Sequence, residues 1–318
     1  MTKIVEISEF GGPSVLKITN KNLEKLKPNE VLVQNKSIGL NFIDTYHRSG
    51  LYPLPLPSGI GLEAAGEIIE IGSNVKLFKI GDRVSHASMP IGAYAEQQVM
   101  PEEKLVKVPK EVSFEDAGAV TLKGMTCEYL LHRAYQVKKE DVILFHAAAG
   151  GVGQIFCQWA RAIGCTLIGT VGSDEKIKIA KQNGCDHVIN YSTQDFAKEV
   201  LEITNGKGVD AVYDGVGLKT FEKSLEAIKI STLYYVKCGS PCNYSEVKST
   251  IITKSRYIPP DVYDEISTPL FEYPSQFFAD YLTLEELYQF LVLFDEFEWI
   301  KWRGNIYKTE ELRKIYEK

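Results

Sequence analysis

From Asp141 onward, short apolar runs alternate with longer stretches in which apolar residues recur every three or four positions. The runs at 142–145, 166–171, 187–190 and 209–213 predict buried strands, with 233–236 as a further one. Helical spacing at 154–163, 174–182, 194–204 and 218–229 falls between them. Such alternation predicts an α/β fold with a doubly wound parallel sheet. Residues 1–122 have a different texture: IVEIS, VLVQNKSI, AAGEIIEIG, DRVSHAS, AYAEQQVM and KLVKVP are short β-rich runs broken by Gly, Pro and Asn turns. They predict a compact, mostly β domain. The expected division is therefore 1–122, then a nucleotide-type domain over 123–258, then 259–318. That last segment is aromatic-rich and mostly helical in pattern, especially 284–297 and 309–316. There is no internal repeat and no low-complexity linker.

The junction of the first predicted strand and helix carries the chemistry. Val142 to Phe145 leads into His146-Ala-Ala-Ala-Gly-Gly-Val-Gly153 and then into the helical run ending before Gly164. Strand, glycine turn and helix in this order build a dinucleotide-binding site. Gly150 lacks a Cβ, so its backbone can approach a pyrophosphate, and Gly153 lets the helix pack closely on the strand. The free N–H groups and positive dipole end of the helix then face the phosphates. Ala148 stands where the first glycine is usual, so the motif is Ala-x-Gly-x-x-Gly. His146, at the end of a buried strand, is read as structural.

The next strand, Thr166–Val171, ends at Gly172 and Ser173, with Lys176 one helical turn on. An acidic side chain here bonds a ribose 2′-hydroxyl, whereas a 2′-phosphate needs a cation. Ser173 can donate to a phosphate and Lys176 can supply charge, which favours NADP. Asp174 and Glu175 pull the other way, since either could turn toward a ribose. Taken alone, Lys176 is equally a solvated surface lysine.

Composition narrows the classes. The 318 residues are 44% hydrophobic and 25% charged, as in soluble globular proteins. A formal net charge of −6 and the absence of a basic run disfavour a nucleic-acid partner. No apolar span approaches membrane length and the N-terminus has no signal-peptide core, so a cytoplasmic protein without a membrane partner is expected. The six cysteines form no C-x-x-C pair, and reduced thiols are the default.

Several longer segments now bear on identity: NFIDTYHRSGLYP (41–53), PSGIGLEAAGEI (57–68), GDRV (81–84), GAYAE (92–96), TLKGMT (121–126), FHAAAGGVGQIFCQWAR (145–161), LIGTVGSDEK (167–176), VINY (188–191) and DAVYDGVG (210–217). Over about residues 1–230 they resemble the zeta-crystallin-like quinone oxidoreductases of the medium-chain dehydrogenase/reductase superfamily. The resemblance implies a GroES-like, mostly β catalytic domain beside a Rossmann domain, with 259–318 returning to the catalytic domain. It implies NADPH-dependent reduction of quinones without a metal. Zinc relatives of the superfamily carry a cysteine where this chain has Asn41 and a histidine where it has Leu62, and neither replacement is a zinc ligand of note. Glu63 and His47 are read as structural, and no metal is expected.

By the same resemblance, Asn41 lies by the nicotinamide and Tyr46 and Tyr52 line the quinone slot. Cofactor contacts carry over to Lys123, Thr126, Ala148, Gly150, Gly151, Val152, Gly172, Ser173, Lys176, Tyr191, Gly215, Val216 and Gly239. A quinone is already a strong electrophile, so its reduction needs orientation in a water-poor slot more than a Lewis acid. An amide suits the orienting of a carboxamide or quinone oxygen, and tyrosine rings suit planar substrates. After about residue 230 the resemblance weakens: Gly239 is the one clear equivalent of a nicotinamide-contacting glycine, and Arg256 a weak phosphate candidate. The family's homodimer interface also falls there. An NADPH-dependent enone reductase and a non-catalytic NADPH-binding relative with a degraded C-terminus stand as alternatives.

Overall fold

Ten short elements realise the β-rich start of the chain. In order they are β1 (Thr2–Ile7), β2 (Lys17–Lys21), β3 (Glu30–Gly39), α1 (Phe42–Ser49), β4 (Ser58–Gly59), β5 (Glu63–Ile71), β6 (Arg83–Ala87), β7 (Gln97–Pro101), β8 (Val106–Lys107) and α2 (Phe114–Glu128). This computed structural model describes residues 1–217, 219–229, 233–236, 252–253, 276–278, 299–302 and 305–308. The chain gathers into two units, Met1–Gln194 and Asp195–Lys318.

In the first unit, β1 pairs antiparallel with β2 and β4, and a second antiparallel sheet runs β7-β3-β5-β6-β8. Val31, Val33, Ile68, Val84 and Met100, all fully buried, form the core of the larger sheet with Leu105. Each such side chain removed from water contributes roughly 1.5–3 kcal/mol. The sequence pattern did not show α1 or α2. Helix α1 is set by a capping box, in which Asn41 and Asp44 satisfy each other's backbone N–H groups, and it stops at Gly50 in the left-handed region (φ 81°). Helix α2 starts at Ser113, whose hydroxyl accepts the Asp116 N–H at 2.9 Å. Residues 122 and 123, between which a domain junction was expected, both lie inside α2. That helix packs on β3, β5 and β6 as well as on α3 (Gly151–Ile163).

The expected alternation follows. Strands β9 (Val142–Phe145), β10 (Thr166–Val171) and β11 (His187–Asn190) pair in parallel in the order β11-β10-β9. Between them lie α3, three residues longer at its start than expected, and α4 (Asp174–Gln182). Helix α3 ends at Gly164 with φ 88°.

In the second unit, α5 (Phe196–Ile203) precedes β12 (Ala211–Asp214), and α6 (Phe221–Ala227) leads to β13 (Leu233–Val236), parallel to β12. Strand β14 (Ile252–Thr253) pairs antiparallel with β13. Where residues 259–318 are described they form three short strands, β15 (Gln276–Phe278), β16 (Trp299–Trp302) and β17 (Asn305–Lys308). Aromatic and β-branched residues dominate these short pieces, and they suit a pleated strand. The stretches 284–297 and 309–316, expected to be helical, and Gly239 and Arg256 lie outside the described residues.

Candidate active site

The sequence of α1 and its exit puts three expected site residues on one support. Asn41 caps the helix, Tyr46 lies on it, and the Tyr52 N–H bonds back to the Tyr46 carbonyl at 3.2 Å. The Tyr46 and Tyr52 rings meet edge to face at 5.3 Å, and Phe42 meets Tyr46 at 5.6 Å. Tyr46 is buried and Tyr52 partly so. Beneath them Asp44 accepts the Asn41 N–H at 2.9 Å and the Tyr94 hydroxyl at 2.8 Å. Burial raises the Asp44 carboxyl, and these two hydrogen bonds oppose the rise. Burial also lowers His47 and raises the Tyr94 hydroxyl.

Asn41 is held from its other side by residues far away in sequence. Its Nδ2 donates to Glu63 Oε2 at 2.7 Å, and its Oδ1 accepts from Lys123 Nζ at 2.9 Å. Glu63 opens β5 and is fully buried, with Oε1 accepting the Leu122 N–H at 2.7 Å and Oε2 lying 3.5 Å from Lys123 Nζ. Sequence reasoning set Glu63 aside. The signal that would have found it is an acid inside the apolar segment GIGLEAAGEI, because a buried carboxylate must find donors.

This arrangement does not suit a zinc ion. Leu62 offers no donor atom, both Glu63 oxygens are engaged by N–H groups, and the Lys123 ammonium already stands at the carboxylate. Among the described residues no group of three His, Cys, Asp or Glu side chains could hold a metal ion.

Lys123 also reaches the glycine turn. A Cβ on Gly151 would lie 3.0 Å from Lys123 Cε, so the lysine stem runs along the first residue of α3. A Cβ on Gly153 would come within 2.5 Å of the Ala147 and Ala148 carbonyl oxygens, which explains the glycine there by close helix–strand packing. At Gly150 the only near atom among the described residues is the Ala147 oxygen at 3.1 Å. Gly150 therefore keeps a backbone that a phosphate can approach, at the end of α3 where free N–H groups collect. Ala148 is buried, and Thr126 bonds its own helix at the Leu122 carbonyl, 2.9 Å away. Val152 sits in the first turn of α3. His146 is buried with Nδ1 2.8 Å from the Thr170 hydroxyl, consistent with a structural part.

At the end of β10, a Cβ on Gly172 would sit 3.0 Å from the Tyr191 hydroxyl, so the tyrosine covers that glycine. Ser173 caps α4 with its side chain uncommitted to the helix, and Lys176 is exposed. Asp174, one of the two acids that argued for NAD, has one oxygen engaged: Asn190 Nδ2 donates to Oδ1 at 2.7 Å. In the second unit, Asp214 accepts the N–H groups of Val216 at 2.8 Å and Gly217 at 2.9 Å, which shapes the Gly215–Val216 turn after β12.

The two halves of this chemistry match two family descriptions: "alcohol dehydrogenase GroES-like domain" over residues 27–110 and "zinc-binding dehydrogenase" over 151–252. A quinone oxidoreductase from Pseudomonas aeruginosa is 52% identical over 229 residues, which span 72% of this chain and 70% of that relative. The chain belongs to the quinone oxidoreductase family. A 2-haloacrylate reductase from a Burkholderia species is 46% identical over 72% of this chain and 71% of its own length. The crystal structure of Escherichia coli quinone oxidoreductase complexed with NADPH superimposes with a TM-score of 0.74 at 43% identity, covering 83% of this chain and 78% of that one. The family has the GroES-like plus Rossmann α/β fold expected from the sequence, and this chain is an oxidoreductase of that fold.

Proposed function

We propose that this chain reduces quinones with NADPH at a slot walled by Tyr46 and Tyr52, with Asn41 orienting the reacting rings. The observation that carries the reading is the convergence of Asn41, Lys123 and the Gly150–Gly151 turn. One lysine side chain bonds the amide at its tip and lies against the start of α3 along its stem. NADPH, when bound, supplies a hydride, so that with one proton from water a quinone becomes a hydroquinone and NADP+ is left. The Gly151 and Val152 N–H groups at the start of α3 suit its pyrophosphate. Ser173 and Lys176 suit its 2′-phosphate, the more so because Asp174 is committed to Asn190. Tyr191, over Gly172, suits the adenosine end. Gly215, Val216 and Gly239 complete the assignment on resemblance. The aromatic pair offers flat apolar walls that hold a planar substrate and keep water out.

The domain assignment stays at 1–122 for substrate, 123–258 for cofactor and 259–318 as a returning segment, with a homodimer as assembly. Among the described residues the buried cysteines 127, 157, 165 and 185 form no disulfide, which suits a reducing cytoplasm. Among the described residues no helix is long and apolar enough to cross a membrane.

The test is steady-state oxidation of NADPH and NADH with 1,4-benzoquinone, naphthoquinones and a panel of enones. Turnover of quinones with NADPH ahead of NADH is expected. Similarity to a 2-haloacrylate reductase favours activated alkenes as the second reading, and faster turnover of enones than of quinones would select it. Loss of nucleotide from the turn, or no turnover with any acceptor, would end the reading.

A further inference from the structure

A lysine beside a glycine turn invites assignment as a phosphate contact, yet the three donors of Lys123 are already used. They go to Asn41 Oδ1 at 2.9 Å, the Ala119 carbonyl at 3.1 Å and, more weakly, Glu63 Oε2 at 3.5 Å. We infer that Lys123 and Glu63 are positioning residues that lock the Asn41 carboxamide in one orientation, rather than ligands of the nucleotide. This deepens the quinone-reductase reading and rests on it for the meaning of Asn41.

The physical argument is one of donors and acceptors. An asparagine amide can turn over, exchanging its NH2 for its oxygen, with little change in shape. Here the neighbours forbid it. A carboxylate only accepts and an ammonium only donates, and they stand side by side, 3.5 Å apart, one at the amide NH2 and the other at its oxygen. Turning it over would oppose NH2 to the ammonium and oxygen to the carboxylate, replacing two charge-assisted bonds by two repulsive contacts. The clamp itself is rigid. Glu63 is fully buried and pinned by the Leu122 N–H, and the Lys123 stem lies against Gly151. What remains for a ligand is one amide N–H, pointing in a fixed sense. An ordinary N-cap asparagine, bonded only to its own helix, lacks that definition.

The test compares Lys123→Met, which keeps the stem and removes the charge, with Asn41→Ala and the double variant, all in the full chain. Ligand-free NMR of the Asn41 side-chain amide, assigned by its loss in Asn41→Ala, gives a readout independent of activity. Lys123→Met is expected to move that resonance. It should lower kcat with quinone roughly 10- to 100-fold, as misplacement of an orienting group does. The NADPH Kd should change by less than about threefold, well under one decade of affinity. In the Asn41→Ala background it should cost little more. An unmoved amide resonance with a Kd raised about tenfold or more would make Lys123 a phosphate ligand and overturn the inference, as would additive effects in the double variant. Should Lys123→Met lose its thermal transition, Lys123→Arg takes its place. A longer planar head is expected to shift the amide signal and lower kcat at unchanged melting temperature, and an unchanged signal and rate would refute the clamp. Absence of quinone turnover in the wild type would remove the functional reading, while the resonance and binding data would still decide the clamp.

Discussion

At the Asn41 end of the site, a buried carboxylate, an amide and an ammonium hold one another at 2.7 to 3.5 Å. At the Ser173 end, Lys176 and Glu175 stand in solvent, beside the Asn190–Asp174 bond and the Ser192 hydroxyl that donates to the Gly172 carbonyl. The first end works by geometry, since each polar group is fixed by others that cannot move. The second works by charge, which acts at a distance and is screened by water and salt. The difference teaches that the reacting end is prepared before any ligand arrives, whereas choice between the two nucleotides rests on a modest, tunable electrostatic preference.

The largest expected effect comes from breaking the closed end. Glu63→Ala leaves the Leu122 N–H and the Asn41 NH2 without their acceptor and takes the carboxylate from beside the Lys123 ammonium, and should lower unfolding free energy by about 3 kcal/mol. Glu175→Ala at the open end should stay within about 0.5 kcal/mol of wild type. Denaturant titration of both variants measures the contrast, and equal values would erase it.

The closed end should also respond to acid. His86 lies on β6 next to Ala64 of β5 and is almost fully buried, which pushes its pKa down from 6.5 to about 4. The folded protein therefore holds the ring neutral where the unfolded chain takes up a proton. Its contribution to stability is whole above pH 6.5 and is lost progressively as pH falls from 6.5 to about 4, by up to about 3 kcal/mol. Comparing wild type with His86→Gln across that window isolates this part from the carboxylates. Parallel pH dependences in the two proteins would contradict it.

The smallest effect belongs to the open end. Lys176→Glu should weaken NADPH roughly three- to tenfold while leaving NADH nearly unchanged, and the difference should shrink as salt rises. Equal losses for both nucleotides would remove Lys176 from the 2′-phosphate.

These same two regions show why part of the molecule was legible in the sequence. The strand–turn–helix around Gly150 is a local pattern, complete within about twenty residues, so β9, α3 and β10 emerge from spacing alone, as does the close packing at Gly153. The clamp is not local. Asn41, Glu63 and Lys123 come from α1, β5 and α2, and nothing in their spacing announces that they meet. Helix α2 itself was hidden because it packs on the sheet strands β3, β5 and β6 and also on α3, which blurs any single stripe. Asp174 illustrates the same limit in reverse. As a free acid it argued against NADP, and only the fold supplies Asn190, sixteen residues on, to occupy it.

The central claim, that nucleotide phosphates lie on the start of α3, is tested most directly at Gly150. Among the described residues a Cβ there meets the Ala147 oxygen at 3.1 Å and no other atom within 4 Å, and the backbone, at φ −75° and ψ 173°, is extended and open to any residue. Gly150→Val should therefore fold as wild type yet fill the space the phosphates need. Fluorescence titration with NADPH is expected to show Kd raised at least about tenfold at an unchanged melting temperature. An unchanged Kd in a folded Gly150→Val protein would contradict the account.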